Sequence, residues 1–145
     1  MNKGNTYIAL ALILLITLTF SLLGIMFGYH WDESRIMESA RETFRTGNPL
    51  PGWYVYPSLP HDLASLAQLT KLFPFLCPGF EEAWKQHLMV RGVFILYSCA
   101  GIVFTFLLGR IITSSNIYAL MSAALLAFSW EFGYHIRWIA PDSIM

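Results

Sequence analysis

Charge is what this chain has least of. Only 12% of its 145 residues are Asp, Glu, Lys or Arg, about half the roughly 25% of soluble domains. Nine basic and nine acidic residues leave a formal net charge of zero. That argues against nucleic acid as a partner, which calls for a basic stripe. Cysteine is scarce as well. Cys77 and Cys99 form no CxxC pair and Cys99 lies inside an apolar run, so neither a disulfide framework nor a redox compartment follows. There is no internal repeat, low-complexity tract or HExxH metal signature. Apolar residues fill the space instead: 56% of the chain is hydrophobic and 16% aromatic. This is a membrane composition, in a length that suits one compact unit over residues 1–145.

From Tyr7 to Tyr29 there is no charged residue. As a helix rising about 1.5 Å per residue the run is roughly 34 Å long, enough for a hydrocarbon core of about 30 Å. Lys3 gives it the positive start of a secretory signal. However, the run exceeds the roughly 7–15 residues of a signal core, and Gly24-Ile25-Met26-Phe27 offers no small-x-small cleavage site. A retained anchor is expected. A second run spans Leu88 to Gly109, with Arg91 near its outer end, where a long side chain snorkels. The polar stretch from Arg110 to Asn116 reads as a tight turn. A third run, Ile117 to Phe132, is short for a pass. Trp84, Tyr97, Trp130, Tyr134 and Trp138 gather toward one interface as an aromatic belt.

The expected fold is therefore an all-α membrane domain of about three transmembrane helices, with a long outer loop carrying two amphipathic surface helices. Lys3 and Arg110 mark the cytoplasmic side. Arg35, Arg41, Arg45, Lys71 and Lys85 lie in the long loop and count against that orientation, but long loops translocate largely regardless of charge. The expected location is the plasma membrane, multi-pass, with the loop on the non-cytoplasmic side.

Within that loop, Asp32 to Thr46 reads as a helix. Ile36, Met37, Ala40 and Phe44 make an apolar stripe, and Glu38/Arg41 and Glu42/Arg45 are i,i+3 pairs. Gly47-Asn48-Pro49 stops it. Pro49, Pro51, Gly52, Pro57 and Pro60 then force an extended path. A second helix is expected from His61 to Leu72, with Leu63, Leu66, Ala67 and Thr70 on one side. Short amphipathic helices of this kind lie along a membrane surface.

Asp32-Glu33 follow the first apolar run and Pro141-Asp142 follow the third. With two crossings between them, both acid sites emerge on one face of the bilayer. Two acids held at one membrane surface are a candidate site for polar chemistry beside lipid.

Further residues carry a resemblance. His30-Trp31-Asp32-Glu33-Ser34, then Ala40, Gly47-Asn48-x-x-Pro51 and Tyr56-Pro57-Ser58-Leu59, resemble the first outer loop of the GT-C superfamily of membrane glycosyltransferases. The branch it is most similar to is that of protein mannosyltransferases and aminoarabinose transferases. Ala127-Phe128-Ser129, His135-x-Arg137 and Ala140-Pro141-Asp142 are similar to that family's third pass and second outer loop. Where the aminoarabinose branch carries an acid and a lysine before Pro-Pro-Leu, this chain has Val55 and Tyr56. The resemblance implies an inverting transfer of a sugar from a polyprenyl-phosphate donor to a lipid or protein acceptor, at the outer membrane face. It implies a catalytic base at Asp32, with Glu33 beside it. It also implies a role for Asp142 in organising phosphate, metal or acceptor. Arg137, Tyr56 and His135 join Asp142 as candidate substrate- and phosphate-binding residues. A divalent metal is left open as a cofactor, with Asp142 its candidate ligand. Family members have many more passes, so residues 1–145 are expected to be the N-terminal part of a larger module, inactive alone.

The chemistry fits the residue types. A sugar leaving a polyprenyl phosphate passes through an oxocarbenium-like state, as in glycoside hydrolysis. The leaving phosphate is already anionic, whereas the acceptor hydroxyl needs a base, and one positioned carboxylate supplies it. Each residue also has a plainer reading. Asp32 can cap a helix with Glu33 in its first turn, Asp142 can be a solvated loop acid, and Arg137 can anchor a helix end in headgroups or grip phosphate through a bidentate fork. His30 and His135 show no metal-ligand spacing, and Glu131 can face the interface or pair with Arg137. The competing function is a small non-catalytic membrane protein, in which Gly101 and Ser122-Ala123-Ala124 permit close packing against a partner.

Overall fold

The computed structural model describes residues 2–26, 28, 31–50, 58–69 and 82–139. Every regular element among them is a helix: α1 (Lys3–Leu23), α2 (Trp31–Thr46), α3 (Ser58–Leu69), α4 (Glu82–Thr113), α5 (Asn116–Ala127) and α6 (Trp130–His135). Asn2 caps α1, its side chain accepting from the Gly4 amide at 3.4 Å. Two helices, α1 and α4, are long and apolar enough to cross a membrane. Only 22% and 33% of their apolar windows are buried in the chain, so most of that surface is left for surroundings as apolar as itself. The third expected pass is different. Helix α5 has 12 residues, about 18 Å of rise, and stops short of a core of about 30 Å.

Antiparallel packing of α1 and α4 is fixed at both ends. Arg110 of α4 donates to the Tyr7 hydroxyl at 3.3 Å. At the other end Arg91 donates to the carbonyls of Ile25 and Gly28, just past α1. The turn between α4 and α5 is tighter than the polar stretch implies. Helix α4 continues through Thr113, leaving Ser114-Ser115 to reverse the chain, with Ser114 at φ +52°. Small residues bring α4 and α5 together: a Cβ on Gly109 would stand 3.1 Å from the Ala119 Cα. Ala119, Ala123 and Ala127 recur on one face of α5 and pack with Leu10, Ile102 and Phe106. The small-residue group expected to serve a partner is thus used inside the bundle, at Ala123 above all. Gly101 faces open space, with nothing within 4 Å of where a Cβ would stand.

Beyond α5 the helix breaks at Phe128 and Ser129. Ser129 accepts from the Phe132 amide at 3.2 Å and donates to the Leu126 carbonyl at 3.0 Å, so one side chain closes α5 and opens α6.

A second core lies at the α2–α3 end, where Ile36, Met37 and Ala40 meet Ala64, Ala67 and Phe94. The expected stripe of α2 holds except at Phe44, which is 46% exposed. Helix α2 ends at Thr46, and Gly47 takes φ +71°, a conformation that suits glycine past a helix end. Glu42 pairs with Arg45 as expected, at 2.7 Å to Nε. The hydrogen bond from Arg45 holds the Glu42 carboxyl below its ordinary value. Glu38 instead lies 3.9 Å from Arg35, and Arg41 reaches Gln86 on α4 at 3.1 Å. Helix α3 starts earlier than expected, at Ser58, and of the expected face Ala67 is buried and Leu63 packs against the core. Ala64 is inside as well, whereas Leu66 is 54% exposed. Thr70 lies outside the described residues. A 2.9 Å contact of Thr43 Oγ1 with His61 Nε2 ties α2 to α3.

Candidate functional site

Asp32 and Glu33 open α2, immediately after the chain leaves α1. Asp32, for which an N-cap is the plainer reading, lies instead in the first turn, a favourable place for an acid next to the helix dipole. Neither acid is at the surface. Asp32 is 3% exposed and Glu33 is fully buried.

Glu33 is the centre of the arrangement. Its Oε1 accepts from Arg91 Nε at 2.9 Å and its Oε2 from Arg91 Nη2 at 2.6 Å, a two-point grip of the kind that aligns guanidinium and carboxylate. The Ile139 amide adds a third bond to Oε1 at 2.9 Å. His87 Nε2 stands 3.6 Å from Oε2. Arg91 also lies 5.2 Å from the centre of the Trp138 ring, within the range of a cation–π contact. A buried ion pair is tolerable only when its remaining donors and acceptors are satisfied, and here the carbonyls of Ile25 and Gly28 take two further N–H groups of the guanidinium. Gly28 offers its carbonyl from φ +56°, a left-handed turn that glycine adopts without cost.

Arg91 does not snorkel; it is 1% exposed. The carboxylate that draws it inward is 58 residues away, on an element that spacing along α4 does not reveal. Glu33, expected beside Asp32 as a catalytic group, is occupied as an anchor joining α1, α2, α4 and the segment after α6.

Arg137 sits on the other flank of the α1 terminus. Its Nη2 donates to the Gly133 carbonyl at 3.1 Å, and its guanidinium lies so close to Gly24 that a Cβ there would collide with it. It does not pair with Glu131, which is exposed at the start of α6. Three of the five aromatics expected at the interface meet: Tyr134 stacks on Trp130 at 6.3 Å and meets Trp138 at 6.0 Å, with His135 edge-on at 5.0 Å. Tyr97 is 38% exposed on α4. His135 therefore belongs to an aromatic cluster. Cys99 is a free thiol on α4.

Tyr56, Asp142, His30 and Cys77 lie outside the described residues, as does the side chain of Trp84. Among the described residues, no group of three or more His, Cys, Asp or Glu could hold a metal ion. Ile139, which bonds Glu33, stands three residues before Asp142 in the sequence, and Asp142 itself lies outside the described residues.

Comparison with protein-family models, curated proteins and solved structures finds no match to this chain.

Proposed function

We propose that this chain is the N-terminal part of a membrane glycosyltransferase of the GT-C type. It moves a sugar from a polyprenyl-phosphate donor to a lipid or protein acceptor at the outer membrane face. The observation that carries the reading is the Glu33–Ile139 bond, which draws the first-loop acids and the segment leading to Asp142 to one end of the bundle. A base for the acceptor hydroxyl is needed there. The family resemblance puts that role on Asp32, beside Glu33, which Arg91 and Ile139 engage. At 3% exposure Asp32 meets an acceptor only when the segments over it part, which couples acceptor entry to the reaction. Arg137, Tyr56, His135 and Asp142 are the proposed contacts for the phosphate, with a divalent metal at Asp142 if one takes part. α5 and α6 together make the third crossing, and the α2–α3 end faces the outside of the plasma membrane.

The test is Asp32→Asn in the complete protein. Amide for carboxylate keeps the shape and removes the basicity. Loss of a general base costs about 10²–10⁴-fold in rate, with expression and membrane insertion unchanged. Transfer at near-normal rate in Asp32→Asn would remove Asp32 from the chemistry. The rival reading, a non-catalytic subunit, keeps Gly101, which faces open space, while Ala123 packs within the chain.

A further inference from the structure

Helix α6 opens with Trp130 and Glu131, and both are exposed. Among the described residues Glu131 has no hydrogen-bond or ion-pair partner. Arg137, the basic group nearest to it in sequence, donates instead to the Gly133 carbonyl at 3.1 Å and packs against Gly24. Arg91 is taken by Glu33. Glu131 is thus a charge that the fold leaves over.

Its depth follows from its neighbours. The stretch of α4 from Arg91 to Arg110 holds no other charge and rises about 28 Å as a helix, close to a hydrocarbon core of about 30 Å. Trp138 lies beside Arg91, at 5.2 Å, and Glu131 precedes Trp138 by about two helical turns, or about 10 Å. From the opposite end, the 12 residues of α5 lift the chain about 18 Å above the Ser114-Ser115 reversal before Glu131 is reached. Trp130, its neighbour, faces Ile16 and Phe20 of α1 across a groove, well inside the apolar span that ends at Leu23. With α5 and α6 as the third crossing, Glu131 is an acid inside the hydrocarbon. Acids at that depth are costly, and they pair.

We propose that the face formed by Phe128, Trp130, Glu131 and Tyr134 docks a transmembrane helix of another membrane protein, one that carries a lysine or arginine opposite Glu131. A basic group of a polypeptide reaches that depth on an element that itself spans the bilayer. A second copy of this chain is a poor occupant, since side by side it sets Glu131 against Glu131 at one level. The apolar part of the contact is in place: Phe128, Trp130 and Tyr134 are 58%, 84% and 42% exposed, and large aromatics are the residues on which interfaces concentrate their energy. The ion pair fixes depth and partner, while the aromatics supply area. This rests on the third crossing by α5 and α6 and not on sugar transfer.

Synthetic leucine-alanine transmembrane peptides in phosphatidylcholine vesicles test this, each bearing a donor dye. Four carry lysine, glutamine, glutamate or leucine about two helical turns from one end, and a fifth carries lysine at the end itself. The full chain takes an acceptor dye at Ser114→Cys, with its native thiols replaced. Energy transfer should show the inner-lysine peptide binding about tenfold tighter than the leucine peptide, the scale of polar contacts between model transmembrane helices. Glu131→Gln should erase that preference, and Glu131→Lys should hand it to the glutamate peptide. Trp130→Ala should weaken every peptide alike. Far-ultraviolet circular dichroism checks that each variant folds, and Glu131→Asp, which keeps the charge, should keep most of the lysine preference. A preference that survives Glu131→Gln overturns the proposal, as does a glutamine peptide that binds as well as the inner-lysine one. Preference for the terminal lysine puts Glu131 among headgroups and removes the crossing by α5 and α6. No lysine preference at either depth leaves the crossing and removes the partner. Energy transfer between two labelled copies of the chain, abolished by Glu131→Gln, would give the face to a second copy instead.

Discussion

Glu33 and Arg91 make a demand that few exposed pairs make. A surface pair such as Glu42–Arg45 is screened by water and worth little, but an ion pair with both members at 1% exposure or less has no solvent to fall back on. Removing one partner from a buried pair costs about 3–5 kcal/mol. Glu33→Met and Arg91→Met should each lower thermal stability in detergent by an amount of that order. The double variant should recover much of it, since two apolar side chains can replace a charge pair. Recovery should stay incomplete by about 1–3 kcal/mol, the cost of leaving the buried Ile139 amide without an acceptor. Fully additive losses in that cycle would show that the two residues do not act as a pair. Ser114 sets a smaller test. Its left-handed φ costs a non-glycine residue roughly 1–2 kcal/mol, whereas glycine loses about 0.5–1 kcal/mol through unfolded-state entropy. Ser114→Gly should therefore raise the melting temperature slightly, and a lower one would mean that the hydroxyl matters to the turn.

Local signals in the sequence translate directly into elements. Gly47-Asn48-Pro49 ends α2 because glycine accepts positive φ and proline refuses helix, and both are facts about neighbouring residues. Most of the Tyr7–Tyr29 run becomes α1, which ends at Leu23, for the same reason: length and apolarity are properties of its own composition. Failures arise where the deciding partner is distant. Arg91 reads as a snorkelling residue because nothing within a helical turn offers it a carboxylate. Periodicity puts Leu63, Leu66 and Ala67 on the inner face of α3; Leu63 and Ala67 do pack there, whereas Leu66 is exposed and Ala64 is buried instead. The continuous apolar run from Ile117 to Phe132 hides the break at Ser129, whose cap is a three-residue signal embedded in hydrophobic sequence. Of the site, Asp32 and Glu33 are legible through motif and position. Their burial, and the anchoring role of Glu33, are not, because both depend on residues 58 and 106 positions away.

At the scale of the molecule the bundle has two unlike ends. One is a bare reversal at Ser114-Ser115; the other carries α2, α3, the Glu33 centre and the aromatic belt. Two crossings plus the α5–α6 pair predict opposite exposure for those ends. Single cysteines at Ser58 and Ser114, both exposed, in a variant lacking the native thiols, should react with a membrane-impermeant maleimide from opposite sides of sealed vesicles. Labelling of both from one side would rule out this topology. The order in which the ends are completed also matters. Glu33 leaves the ribosome long before Arg91, and Ile139 follows later still, so a nascent chain holds a carboxylate that no native partner yet neutralises. Closure of the centre is then a late step in biogenesis, one that certifies that α4 and the segment after α6 have both inserted in the right sense. A chain in which either of them fails to dock would keep the Glu33 carboxylate without its native partners.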